Sequence, residues 1–217
     1  MSGMILPFDG MTPKVDETAF VAETATLIGD VEVGAGSSIW YGCVLRGDIN
    51  RIRVGRNTNI QDGTIVHCNH DPEGDYRETG GGMPTFIGDD ITIGHLALIH
   101  ACTLEDGCFV GMRAVVMDLA VVESQAMVAA GALVTPGKRV PSGQLWAGSP
   151  ARFVRDLRPG ELDEMAYLTR HYVKLGAKRV LRSRNPLALP TRLLGRHVKR
   201  SSKLYRRRAK HRILDDT

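Results

Sequence analysis

The stretch "FVGMRAVVMDLAVVESQAMVAAGALVTPGKRV" (109–140) carries an aliphatic residue at every sixth position: Val110, Val116, Val122, Val128, Val134 and Val140. A helix repeats its apolar face every 3.6 residues and a half-buried strand every second residue, so neither explains a period of six. Short strands joined by tight corners do explain it. One aliphatic per hexad points inward, and small or left-handed-tolerant residues make the bend. The same period runs through the chain on both sides. It holds at Val15, Val21, Leu27, Val33, Ile39 and Leu45, resumes at Val54, Ile60 and Val66, and resumes again at Ile87, Ile93 and Ile99. From Leu104 it continues to Trp146. Three hexads per coil make a triangular solenoid whose coils stack at one strand spacing, ~4.8 Å. An ordinary β-sandwich with scattered valines does not sustain such a period.

The composition agrees with this. Hydrophobic residues make up 43% of the 217, which excludes a globally disordered chain, and the 24 glycines suit frequent corners. No apolar run approaches the length of a membrane span, and the N-terminal stretch lacks the pattern of a secretory signal, so the expectation is a soluble, cytoplasmic protein. Cys43, Cys68, Cys102 and Cys108 lack CxxC spacing and are expected to be reduced. Charge is unevenly placed. Residues 1–177 hold 14 Lys and Arg against 22 Asp and Glu, a net −8, whereas residues 178–217 hold 14 against two, a net +12.

The chain is expected to divide into a β-helix over 1–156, an amphipathic helix over 157–181 and a basic tail over 182–217. In the helix, Leu162, Met165, Leu168, Tyr172, Leu175 and Val180 form a face that packs back along the solenoid. The tail's Lys and Arg clusters suit nucleic acid or an anionic surface, or simply a solvated extension. Its prolines and sparse apolar face argue against a membrane anchor.

The repeat also assigns the histidines to faces. If the steps at 45–54 and 66–87 are loops bulging from single hexads, Leu45, Val66 and Ile99 share one face in successive coils, and Ile60 and Ile93 share the face before it. Arg46, His67 and His100 then stack one above another, and Asp62 stacks with His95, with Gln61 beside them. His67 and His100 can converge on one metal. His95 belongs to another face, and a neighbouring subunit around a threefold axis could bring it in. The same association would set Asp62 near Arg46 of the next chain as a charge-assisted pair.

At these residues the chain resembles the γ-class carbonic anhydrases. "LRGD" (45–48), "NIQDGTIVH" (59–67), "TIGHLALIHACTLEDGCFVGM" (92–112) and "WAGSPARFVRDL" (146–157) carry the resemblance, which covers about residues 5–181. It implies an all-β solenoid, a left-handed parallel β-helix of hexapeptide repeats with an α-helix packed alongside. It also implies a homotrimer with metal sites shared between subunits, Zn2+ or Fe2+ as the ion, and reversible hydration of CO2 to bicarbonate. His67, His95 and His100 would ligate the metal, and Gln61 would hydrogen-bond the hydroxide on it. Arg46 and Asp62 would hold the subunit boundary, with Asp48 supporting Arg46. A tyrosine from the helix reaches the site in related subgroups; Tyr172 matches it best, with Tyr167 the alternative or a packed aromatic as a third reading.

The sequence departs from the family's archaeal prototype at two positions. Ile49 follows Asp48 where the prototype has a glutamate, and His70 lies near the place of a glutamate proton shuttle. An imidazole can shuttle protons, and the loop "HDPEGDYRETGGGMP" (70–84) also offers Glu73, Asp75 and Glu78. Two further functions remain open at this point. Hexapeptide-repeat proteins also resemble CoA-dependent acyltransferases, which need one histidine base, and an acyl-CoA thioesterase is close to these. A non-catalytic metal-binding scaffold subunit is the other.

Overall fold

The computed structural model describes residues 3–184, with side chains through Leu181. The tail expected from residue 182 therefore lies, beyond those three helical residues, outside the described residues. The repeat winds into a parallel β-solenoid. The register pairs follow the aliphatic series coil by coil: Leu27 with Leu45, Leu45 with Val66, Val66 with Ile99, Ile99 with Val116, and Val116 with Val134. A second face stacks Ile39, Ile60, Ile93, Val110 and Val128, and ends on Trp146. The third runs through Val33, Val54, Ile87, Leu104, Val122 and Val140. Almost all of these side chains are fully buried. They form one continuous core, as a stacked solenoid requires.

Three local features differ from the sequence expectation. First, the nine-residue step from Leu45 to Val54 is not a loop. Val44–Val54 is one strand that turns the corner, and its surplus residues sit opposite a register irregularity between Gly29 and Val31. That irregularity puts Asp48 beside the histidine column. Second, the corners are not reserved for small residues. Leu96, Arg113, Leu119 and Gln125 all take positive φ, between 59° and 60°. Each costs roughly 1–2 kcal/mol against the right-handed conformation, a cost that coil stacking must offset. Third, the hexads of the histidine-bearing face turn a second, small residue inward. Ala25, Cys43, Thr64, Ala97, Ala114 and Ala132 are all essentially inaccessible.

The cysteines belong to this small-residue interior. All four are free and buried. Burial pushes the thiols of Cys43 and Cys68 up to about 11 and that of Cys102 up to about 12, and raises Cys108 as well. The native protein at pH 8 is therefore expected to leave its thiols unreacted with DTNB, whereas guanidinium should release four. Rapid labelling of the native state would show that this interior opens.

The step at 66–87 is an excursion, and it is tied down. Asn69 and Met83 form an antiparallel bridge at its base. The short helix Tyr76–Thr79, N-capped by Asp75, carries a buried Tyr76 whose hydroxyl donates to Asp30 Oδ2 at 2.9 Å. Arg53 pairs with the same carboxylate at 2.7 Å.

The long helix is Pro159–Arg184. Pro159 supplies the fixed φ of a first helical position, and Glu161 accepts from the Arg158 backbone N–H at 2.8 Å and so satisfies a free donor at the start. Of the expected face, Met165 is buried, while Tyr172, Leu175 and Val180 pack partly buried on the core. The helix also approaches the solenoid through residues the apolar pattern did not flag. Thr169 reaches Thr92, oxygen to oxygen, at 3.2 Å, and a Cβ on Gly176 would lie 3.3 Å from Ser38.

Candidate metal centre

The coil register sets Arg46, His67 and His100 in one column, with His67 opposite both of the others. His67 Nδ1 lies 3.2 Å from His100 Nε2. The outer nitrogen of each ring faces a carboxylate: His67 Nε2 is 3.0 Å from Asp48 Oδ1, and His100 Nδ1 is 2.5 Å from Asp118 Oδ1. Burial acts to raise the pKa of both carboxyls. Hydrogen bonds outweigh it, from Arg46 and His67 on Asp48 and from His100 and Asn69 on Asp118, and hold both below the usual range. An ionised carboxylate only accepts, so the ring nitrogen facing it carries the proton. Each imidazole, when neutral, then directs a lone pair at the other. Burial keeps His67 below its ordinary value despite Asp48, and the nearby charges of Arg46 and His100 act in the same direction.

Two apposed lone pairs can take a cation between them, and the spacing fits one. Two nitrogens 3.2 Å apart, each ~2.05 Å from one ion, subtend about 103° at it, near the tetrahedral ~109° of zinc sites. The donor set, neutral imidazoles backed by carboxylates, is the usual arrangement around bound zinc.

His95 stands at the preceding corner, stacked in its coil on Asp62, whose Oδ2 is 2.9 Å from His95 Nδ1. Among the described residues no three His, Cys, Asp or Glu groups of a single chain converge on one point. One chain thus brings together His67 and His100 and leaves His95 apart. Gln61, 7% exposed, donates from Nε2 to Asn59 Oδ1 at 3.2 Å, while Asn59 Nδ2 donates to Thr92 Oγ1 at 2.8 Å. This network orients the Gln61 amide and leaves its oxygen as the acceptor.

The remaining expected residues fall as follows. Arg46 Nη1 pairs with Asp48 Oδ2 at 2.5 Å, so Asp48 bridges Arg46 and His67 rather than serving Arg46 alone. Tyr172 packs edge-on against Trp40 with ring centroids 5.6 Å apart; burial and then the charge of Asp62 raise its pKa. Tyr167 is exposed and stacks on His171. His70 is exposed, with Nδ1 2.9 Å from Asn69 Oδ1. It lines an open cleft that also touches Asp48, Ile49 and Tyr76. Of the loop carboxylates, Asp75 is occupied as helix cap and Arg77 partner. The sequence reading missed Asp118. It lies two residues after Val116, one coil beyond His100, and that offset from the repeat was the available signal.

The fold and this column define a hexapeptide-repeat solenoid with a partly buried imidazole pair. No family model matches the chain. A crystal structure of a hexapeptide transferase family protein from Anaplasma phagocytophilum is 46% identical, with TM-score 0.74, covering 82% of this chain and 99% of that one. Carbonic anhydrase of Geobacillus kaustophilus is 36% identical over 173 residues, which are 80% of this chain and 89% of the relative. Gamma carbonic anhydrase 2, mitochondrial, of Arabidopsis thaliana is 51% identical over 164 residues, 76% of this chain. The chain spans 57% of that plant relative's length. The chain belongs to the γ-class carbonic anhydrase family.

Proposed function

We propose that this chain catalyses the reversible hydration of CO2 to bicarbonate as a homotrimer. His67 and His100 of one protomer and His95 of the partner subunit would hold a Zn2+ or Fe2+ ion. The observation that carries the reading is the 3.2 Å apposition of His67 Nδ1 and His100 Nε2, with a carboxylate behind each ring. Bound there, the ion would supply an electrophilic charge and lower the pKa of a water to about 7. The chain's own residues do the rest. The Gln61 amide oxygen would accept a hydrogen bond from the attacking hydroxyl and so orient it toward CO2. Asp48 and Asp62 hold His67 and His95 in the tautomers that leave one nitrogen free. Arg46 keeps Asp48 ionised and, at the subunit boundary, meets Asp62 of the partner subunit. Tyr172, on the helix near Asp62, borders the same site. His70 Nδ1 is turned to Asn69 Oδ1, so Nε2 is free to pass the released proton to solvent.

Exposed apolar side chains support the assembly. Ile65 and Leu98 stack in register at 46% and 36% exposure beside the His67–His100 pair, and Leu96 and Met112, next to and above His95, are 62% and 53% exposed. A monomer would leave this patch in water. Leu98→Asp is accordingly expected to turn trimers into folded monomers that bind no metal, read by sedimentation velocity with metal analysis. Metal-loaded monomers would contradict the shared site.

The direct test is anaerobic purification with metal analysis and a stopped-flow CO2-hydration assay. One ion per chain with hydration supports the proposal; metal without hydration makes the chain a scaffold subunit. The name of the Anaplasma structure favours a second reading, CoA-dependent acyl transfer or thioester hydrolysis, and metal-free turnover of acetyl-CoA would put it first. No helix among the described residues is long and apolar enough to cross a membrane, and a reducing compartment such as the cytoplasm suits the four buried thiols. Binding of nucleic acid or an anionic surface by the basic tail falls outside the described residues.

A further inference from the structure

We infer that Asp118 and Asn69 form a two-residue clamp that presets His100 for the metal. Asp118 is thus a positioning residue of the centre, and this rests on the metal-binding reading above. Asp118 lies on the coil after His100 and spends both carboxylate oxygens on the clamp. Oδ1 takes the proton on His100 Nδ1 at 2.5 Å, and Oδ2 accepts from Asn69 Nδ2 at 3.1 Å. Asn69 is itself immobilised. Its backbone N–H donates to Met83 O at 2.8 Å, its carbonyl accepts from Asn50 Nδ2 at 3.2 Å, and its Oδ1 accepts from the His70 N–H at 2.8 Å. Asn50 is wholly buried. The base of the 70–84 excursion is thereby tied to a ligand that is distant in sequence.

The chemistry of each link fixes its direction. A carboxylate cannot donate, so Asn69 must present Nδ2 to Asp118 and Oδ1 to His70. His100 must carry its proton on Nδ1, which leaves Nε2 as the lone pair facing His67. The amide also decides what the chain is not. A proton passing from Asp118 to His70 would have to convert Asn69 to an imidic acid, so these groups orient and do not conduct. A carboxylate behind a ligating imidazole raises its basicity and removes the cost of choosing the tautomer when the ion binds. Asp48 does this for His67, and Asp62 lies 2.9 Å from His95 Nδ1. With Asp118, each of the three imidazoles has its own carboxylate.

The test uses full-length protein stripped of metal and titrated with Co2+ against a chromophoric chelator, with the visible spectrum of the bound Co2+ recorded. Asp118→Ala is expected to weaken binding about 10–100-fold and to shift the spectrum. Asp118→Asn keeps an acceptor for His100 but sets a donor against Asn69, and should fall between Ala and wild type. Asn69→Ala should weaken binding less than Asp118→Ala, and the double variant should lose no more than Asp118→Ala alone. Unchanged affinity and spectrum in folded Asp118→Ala would overturn the clamp while leaving the metal centre standing. Wild type that takes up no Co2+ would overturn both. If Asp118→Ala does not fold, Asn69→Ala decides: weakened binding supports the clamp and wild-type affinity refutes it.

Discussion

His95→Ala should lose CO2 hydration by more than about a hundredfold, because deleting a ligand exceeds the ~10–100-fold cost of deleting a ligand's hydrogen-bond partner. Its solenoid should stay intact, since the His95 side chain is partly exposed at a corner and its polar neighbour among the described residues is Asp62. His67→Ala should be equally inactive. The informative result comes from mixing them. When the two inactive variants are refolded together in equal amounts, a site that pairs His67 and His100 of one chain with His95 of the next is complete wherever the first chain is His95→Ala and its neighbour is His67→Ala. Random trimers restore about one quarter of the sites. Hydration should therefore return to about a quarter of wild type, in step with metal content. No recovery on mixing, with heterotrimers demonstrated by mass spectrometry, would mean that the three imidazoles do not meet across chains.

Ile99→Ala should be the most costly of the simple core truncations near the site. Ile99 is wholly inaccessible and is paired in register with Val66 below and Val116 above. Large-to-small changes at such positions cost about 2–5 kcal/mol, most where neighbours cannot collapse into the gap. Here they cannot, because ladder hydrogen bonds on both sides hold the coil spacing. For a chain of this size the loss is about 5–15 °C in Tm. It should also weaken metal binding, because His100 is the next residue. Leu98→Ala is the control. Its side chain points outward, so the fold should melt within a few degrees of wild type while the trimer weakens. A melt of Ile99→Ala indistinguishable from that of Leu98→Ala would place Ile99 outside the core.

Much of the site was readable because a solenoid is nearly one-dimensional. Once the period is known, residues at equal offsets from successive aliphatics share a column. This is why Arg46, His67 and His100, and separately Asp62 and His95, stack as the spacing predicts. Columns can no longer be counted wherever the period is interrupted. Asp48 sits at a strand irregularity that no hexad count locates, and Asn69 lies at the mouth of the excursion. Asp118 was in a regular hexad and was still missed, because its partner is one coil away and one position out of step. The helix was legible as an apolar face, yet it also approaches the solenoid at Thr169 and Gly176, which matter for being small.

The amino-acid order by itself determined the solenoid, its three faces and the columns that carry the histidines, since each depends only on which residues recur at a fixed interval. Tertiary structure alone decided which nitrogen of each ring faces inward, because a carboxylate's reach depends on where bulges and corners place it in space. The same holds for the corner residues: whether Leu96 or Gln125 can take a left-handed turn is settled by the stacking energy of the coils on either side, a quantity that no local stretch of sequence contains.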